Sequence, residues 1–221
     1  MITALAKTVA AGLVAAVANA ACMHHVTLSY AQSVHDEKSI HQPNAEQRVL
    51  GIYQPYSDDD IGFMTGMIPH HAQALIMAGW APSHGARSDV AILCERIVVG
   101  QADEIRSMQQ WLSDRGLPVP DATSTRMKMN GTEHDMLMPG MLTDEEMAEL
   151  DKARGSEFDR LFLSGMIRHH QGAIEMVDNL FKAFGAAQDD TIYKFASDVF
   201  SDQSIEIEVM HGMLGSVGGQ E

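Results

Sequence analysis

The sequence contains one segment twice, and this repeat limits the folds that the chain can adopt. Residues 63–71 (FMTGMIPHH) return as residues 162–170 (FLSGMIRHH), so that each copy places two adjacent histidines shortly after a Gly-Met pair. A repeat of this length predicts two copies of one supersecondary unit that pack against each other. We therefore expect any chemistry of these histidines to lie where the two copies meet.

Apolar residues at helical spacing, preceded by capping residues, place each copy at the start of a helical hairpin. Ser57 with three following aspartates opens the first helix, and Ser88, Ser156 and Asp190 open the others. Thr143 opens a further capped turn. The predicted long helices span about residues 57–79, 156–185 and 190–214, and a further one runs from 88 through 111 and stops near 116.

The second helices of the two hairpins repeat as well. Gln101-x-x-Glu104-Ile105-x-x-Met108 in the first matches Gln203-x-x-Glu206-Ile207-x-x-Met210 in the second. Two hairpins that are each apolar along one stripe bury those stripes most simply against each other. The sequence therefore predicts an all-α fold, a ferritin-like four-helix bundle built from two repeated helical hairpins.

The N-terminus is typical of an export signal. Residues 1–21 combine Lys7, an apolar run and the small residues Ala18-Asn19-Ala20, and the run is too short to span a bilayer. Periplasmic or other export is thus expected, with no transmembrane segment in the mature chain. A lipid anchor on Cys22 is the alternative, although Asn19 occupies a position where a lipobox has an aliphatic residue.

The rest of the chain divides around one domain, residues 57–214. Residues 22–56 contain His24, His25, His35 and His41 among polar residues without periodicity, which predicts a flexible His-containing arm. The domain is divided into a first hairpin (57–116), a Met-rich linker (117–142) and a second hairpin (143–214), and a short tail (215–221) follows.

The composition excludes two classes of protein. The formal net charge of −15 argues against nucleic acid as a partner, because phosphate backbones would repel this chain. Cys22 and Cys94 are the only cysteines, so a disulfide framework is not indicated.

The histidine repeat also carries methionines at helical spacing. Met67, His70 and Met77 fall along one stripe of the first helix, while His71 stands about 100° further round on a flank. The same stripe recurs in the second hairpin. The predicted metal ligands on these helices are Met67, His70, His71, Met77, Met166, His169, His170 and Met176, with Met64 as an auxiliary ligand on the flank.

The facing helices add sulfur and carboxylate groups. Met108 follows Glu104, and Met210 follows Glu206, by one helical turn. We expect these methionines to be further ligands and the glutamates to orient imidazole N–H groups from a second layer. Thioethers with imidazoles select copper, in the monovalent state, and silver can substitute for it. Methionine at helical spacing is also common core filler, and that interpretation stays open.

The linker forms a second methionine cluster. Met136, Met138 and Met141 lie there with His134 among Gly and Pro residues. They are predicted as auxiliary metal ligands in a segment that captures or transfers a soft metal. A loop that folds over the bundle, with methionines as adaptable contacts, fits the same pattern.

Two segments resemble the domain of unknown function 305 family. These are Met138-Pro139-Gly140-Met141-Leu142-Thr143, continuing through the repeat at 162–176, and its first copy at 63–77. The resemblance covers roughly residues 57–214. It implies a ferritin-like four-helix bundle, export to the periplasm and, by similarity to the copper-resistance members, binding of copper or silver through Met and His.

Three functions remain to be compared. The first is an exported protein that sequesters copper or passes it to another exported copper-handling protein. The second is a metal-free exported interaction bundle. The third, a di-metal oxidase, needs Glu-x-x-His motifs, and only Glu208-x-x-His211 matches. No nucleophile elbow, phosphate loop or His-Glu-x-x-His is present, so we do not expect an enzyme.

Overall fold

The computed structural model describes residues 39–52, 54–125, 127–129, 132–134 and 137–217, with only the backbone for residues 127–129, 132–134 and 217. The predicted signal segment and Cys22 lie outside this part of the chain. The elements in chain order are β1 (Ile40–His41), α1 (Ala45–Val49), β2 (Tyr56–Ser57), α2 (Asp58–Gly79), α3 (Ala81–His84), α4 (Ser88–Asp114), β3 (Met127–Met129), β4 (Thr132–His134), α5 (Asp144–Lys152), α6 (Ser156–Lys182) and α7 (Asp190–Val217).

The four long helices form two antiparallel hairpins. Helix α2 packs on α4, helix α6 packs on α7, and α2 and α6 meet in the centre. This arrangement confirms the predicted all-α four-helix bundle of two repeated hairpins. Within the described residues, no helix is long and apolar enough to cross a bilayer.

Helix α2 begins where its sequence predicts. The hydroxyl of Ser57 accepts a hydrogen bond from the backbone N–H of Asp60, whose carboxylate accepts one from the Ser57 N–H at 2.7 Å. This reciprocal pair satisfies two amides that a helix start leaves without partners. The second Asp60 oxygen accepts from the Ala187 N–H at 2.7 Å, so the same side chain holds the α6–α7 turn against α2.

Two other helix starts and two helix ends differ from the prediction. The N-cap residues of α4 and α6 are Arg87 and Gly155, so Ser88 and Ser156 are the first helical residues instead of caps. The carboxylate of Asp159 is used elsewhere, because it accepts the Arg87 N–H at 3.2 Å and thereby links the two hairpins. Helix α6 ends at Lys182, before the predicted end at residue 185, and helix α7 continues to Val217, past the predicted end at residue 214.

The predicted flexible arm is wrong for its described C-terminal part. Strands β1 and β2 pair antiparallel, with Ile40 opposite Ser57, and α1 lies between them. Asn44 and Gln47 form a capping box, and the buried Gln47 amide donates to the Tyr56 hydroxyl and the Arg115 carbonyl, both at 3.3 Å. Polar contacts hold this segment, so apolar periodicity gives no sign of it.

The core consists of two apolar clusters, one toward each end of the bundle. In one cluster α2 and α7 contribute their C-terminal halves and α4 and α6 their N-terminal halves. In the other cluster each helix contributes its opposite half. Between the clusters lies a buried polar layer in the middle of the four helices. Its members are His70, His71, Gln73, Gln101, His169, His170 and Gln203.

Candidate metal centre

The four histidines of the repeat meet in the middle of the bundle, and none of them has exposed surface. The ring centroids of His70 and His169 are 3.8 Å apart. Within each adjacent pair the centroids are 6.2 Å apart with the ring planes tilted by 54°, in both copies. The two hairpins therefore place their histidines in the same geometry about a local twofold axis.

The two glutamates predicted as orienting groups contact one histidine of each pair. Nε2 of His71 lies 2.7 Å from Oε2 of Glu104, and Nε2 of His170 lies 2.7 Å from Oε2 of Glu206. The contacted histidines are the pair that the sequence placed on a flank. This flank is not exposed, because α4 and α7 cover it and both rings are completely buried.

The other two histidines contact backbone carbonyl groups. Nε2 of His70 is 3.0 Å from the carbonyl oxygen of Pro139 in the linker, and Nε2 of His169 is 3.0 Å from the carbonyl oxygen of His70. The second contact crosses from α6 to α2, so the imidazole of one repeat is held by the backbone of the other.

These partners determine which nitrogen of each ring holds the proton. Carbonyl and carboxylate oxygens accept hydrogen bonds, so each Nε2 is the N–H donor and each Nδ1 keeps its lone pair. All four Nδ1 atoms are buried, and none has a hydrogen-bond partner among the described residues. A buried acceptor with no partner is costly, whereas a neutral imidazole nitrogen is a good ligand for copper. Each of these nitrogen atoms is therefore chemically suited to be a ligand of a soft or borderline metal ion.

The central histidines stay neutral because they are buried. Burial, followed by repulsion from His71, lowers the pKa of His70 from 6.5 to about 3. Burial and then the charge of His70 lower the pKa of His169 well below its ordinary value. A metal therefore need not displace a proton from either ring near neutral pH.

The predicted methionine ligands divide between the two apolar clusters and do not form one set. The cluster that contains the first half of α2 holds Met67 and Met108, with Met176 of the other hairpin packed against it. The opposite cluster holds Met166 and Met210 together with Met77 of the first hairpin. Each set combines three thioethers from both hairpins, and the histidine layer lies between the sets. Met64 is buried in the first cluster.

The end of the linker folds over the centre of the bundle. The Gln73 side chain donates to the Leu142 carbonyl at 2.9 Å and accepts the Leu142 N–H at 2.7 Å. Met141 is buried rather than exposed, and the sulfur of Met138 lies against Gly66 beside the methyl group of Met176. The folded-loop interpretation holds for residues 137–142. Met136 and the side chain of His134 lie outside the described residues.

The repeat is asymmetric at this point. A Cβ at Gly66 would lie 3.5 Å from the Met138 sulfur, whereas a Cβ at the equivalent Gly165 would lie 3.2 Å from a methyl group of Leu142. The cluster around Met67 thus has an additional thioether, that of Met138, close by, and its counterpart has an aliphatic side chain instead.

Histidine, cysteine and carboxylate groups alone do not make a metal site here. Across the described ranges, no three such side chains converge in a way that could hold an ion. The motif Glu208-x-x-His211, which a di-metal oxidase would use, lies exposed on α7.

Comparison with known proteins identifies the family. Residues 60–214 match the sequence profile described as Domain of unknown function (DUF305). The chain belongs to this family. A DUF305 protein from Streptomyces coelicolor that is assigned as secreted is 28% identical, with a TM-score of 0.61, and the match covers 72% of this chain and 94% of that one. A DUF305 fragment from Deinococcus radiodurans is 27% identical with a TM-score of 0.61, over 74% of this chain and 99% of the fragment.

One similar protein has been solved with metal bound. CopM in its Cu(I)-bound form is 27% identical with a TM-score of 0.54, over 71% of this DUF305 chain and 96% of CopM. CopM has also been solved with Cu(II), with silver and in the apo form. A curated relative, an uncharacterised protein of Acanthamoeba polyphaga mimivirus, is 34% identical over 59 residues, and this chain spans only 39% of its length.

Sequence reasoning missed two partners of the centre in this DUF305 chain. One is the Pro139 carbonyl, which contacts the ring of His70, and the other is the Gln73 side chain, which binds the backbone of Leu142. Both contacts join a side chain to a backbone group distant in sequence. It also gave Gln101 and Gln203 no role, although both are buried in the histidine layer. Their presence in both copies of the Gln-x-x-Glu repeat was the available signal.

Proposed function

We propose that this chain is an exported protein that binds monovalent copper through thioethers and imidazoles, and that it stores the ion or passes it on without chemical turnover. Silver substitutes for copper because it is also soft and monovalent. The observation that carries the proposal is the set of four buried Nδ1 lone pairs without partners between two clusters of buried methionines.

The helical geometry supports joint use of these groups. Long side chains on a helix lie over the preceding turn, so both His70 and His71 extend toward Met67, three and four residues before them. Met166 has the same relation to His169 and His170. With one methionine set on each side of the histidine layer, we propose two binding positions, and the extra thioether of Met138 makes the position near Met67 the tighter one.

The relatives support the metal and the location. CopM, which shares the fold at 27% identity, binds copper and silver. The Streptomyces relative is assigned as secreted, in agreement with the signal motif at residues 1–21. Outside the cytoplasm, another exported copper-handling protein would give the ion to this chain or receive it from this chain.

A competition experiment with a colorimetric Cu(I) chelator tests the proposal. We expect the double variant His70→Ala, His169→Ala to lose most tight cuprous binding, and Met67→Leu with Met166→Leu to weaken binding about tenfold or more. The leucine variants nearly conserve volume, so they should keep the fold. Met147→Leu is the matched control, since Met147 packs against a core cluster from α5 and is not a proposed ligand. Unchanged affinity in folded His70→Ala, His169→Ala protein would overturn the assignment.

A metal-free interaction bundle is the second candidate. Exposed apolar side chains on the outer helices favour it, among them Ile92 and Val99 on α4 and Ile205 on α7. It predicts that protein purified from copper-supplemented cells carries no metal while the histidine variants lose stability. Stoichiometric copper in that protein excludes it.

A further inference from the structure

A cavity of about 280 Å³ lies between α4 and α7, on the side of the bundle away from the linker contacts. Both helices contribute the same motif to it, Gln101-x-x-Glu104 from α4 and Gln203-x-x-Glu206 from α7. Residues three apart share one helix face, so all four side chains line this space. No thioether lines it.

The two glutamines are buried and without partners. Gln101 is 4% exposed and Gln203 is 2% exposed, and neither the oxygen nor the nitrogen of either amide has a hydrogen-bond partner among the described residues. Buried amides are normally hydrogen-bonded, since an unpaired one costs its full desolvation penalty. Two of them facing one cavity indicate a ligand that the amide oxygens bind.

The charge of the cavity indicates the sign of that ligand. Glu104 and Glu206 each use Oε2 for a histidine, which leaves the second carboxylate oxygen for another contact. Asp202 also lines the cavity, where burial, and then repulsion from Glu104, Asp198 and Glu206, raises its pKa. The guanidinium of Arg96 is the only basic group in the lining. Three carboxylates against one guanidinium attract a cation.

We propose that this cavity binds one divalent cation through oxygen ligands, namely the amide oxygens of Gln101 and Gln203 and the carboxylate of Asp202, with Glu104 and Glu206 adding negative charge to the lining. Such ligands suit hard cations of the magnesium, calcium and manganese class, and they are poor ligands for monovalent copper. The site is separate from the thioether positions, and it stands whether or not the chain binds copper.

Titration of the metal-free mature protein with Mn²⁺ tests this inference, with free Mn²⁺ followed by its electron paramagnetic resonance signal. We expect saturable binding of one ion per chain, displaced by Ca²⁺ or Mg²⁺. Asp202→Asn and Gln203→Leu should each weaken binding about tenfold or more. The leucine variant removes no hydrogen bond seen in the structure, so its melting temperature should stay the same or rise.

Two controls separate a built site from general surface charge. Asp198→Asn removes the same charge one turn away on α7, from an exposed residue paired with Lys194 that does not line the cavity, and should leave Mn²⁺ affinity nearly unchanged. Met67→Leu, which tests the copper proposal, should leave it unchanged too. The inference would be overturned if the protein showed no saturable Mn²⁺ binding, or if Asp198→Asn weakened Mn²⁺ affinity as much as Asp202→Asn. It would also be overturned if Gln203→Leu kept full Mn²⁺ affinity or if Met67→Leu lost affinity.

Discussion

Mild acid should destabilise the metal-free protein through its central histidines. An unfolded imidazole takes up a proton near pH 6.5, whereas folded His70 does so only at about pH 3. Between these values the unfolded state binds more protons, so the stabilisation is complete above the upper value and is lost progressively as the pH falls. At about 1.4 kcal/mol per pH unit, His70 alone should cost about 2 kcal/mol between about pH 7 and about pH 5. The shift of His169 has the same direction and adds to the loss.

Urea unfolding followed by circular dichroism measures this loss. Chelator-treated protein should show a lower midpoint at about pH 5 than at about pH 7, before most carboxylates titrate. The double variant His70→Gln, His169→Gln keeps an amide donor at each position and removes the titration, so its stability should depend much less on pH. If the parent protein is equally stable at both pH values, or the double variant loses as much, the central imidazoles are not buried in the neutral form.

Three further predictions concern individual contacts. A Cβ at Gly172 would overlap the Pro139 carbonyl oxygen, so Gly172→Ala should lower the free energy of unfolding by about 1–3 kcal/mol, measured by thermal unfolding. The control Gly62→Ala has open space around its Cβ and should raise the free energy of unfolding by about 0.5–1 kcal/mol. The buried ion pair between Arg115 and Asp189, 2.6 Å long, should make Asp189→Asn cost about 3–5 kcal/mol in urea unfolding. A cost below about 1 kcal/mol would show that the pair is solvated. Glu206→Gln removes the carboxylate that orients His170, and Cu(I) competition should then show affinity lower by about tenfold or more; equal affinity would mean that this glutamate has no role in the centre.

The helices were predictable because their signals are local. The Ser57 capping box and the two histidine stripes follow from residues within two turns of each other. Even the Glu104–His71 contact was within reach, since the repeat places a glutamate on each facing helix. The duplication also helped the prediction, because a residue present in both copies occupies equivalent positions in the two hairpins.

The contacts between distant segments were not predictable. Periodicity assigned His71 to a flank, but a helix in a bundle is covered by neighbours on more than one face. Met77 lies in the cluster of Met166, and Met176 packs against the cluster of Met67, so each joins methionines of the other hairpin. This placement depends on how α2 and α6 cross. The Pro139 carbonyl reaches His70 only because the linker folds back, and a backbone oxygen leaves no mark in the sequence.

X-ray absorption of the Cu(I)-loaded mature protein tests the central claim most directly, because it identifies the atoms bound to the ion. Thioethers and imidazoles together predict a first shell with both sulfur and nitrogen scatterers, and Met67→Leu with Met166→Leu should reduce the sulfur contribution. A shell of nitrogen and oxygen without sulfur would contradict the claim that the buried methionines bind the metal.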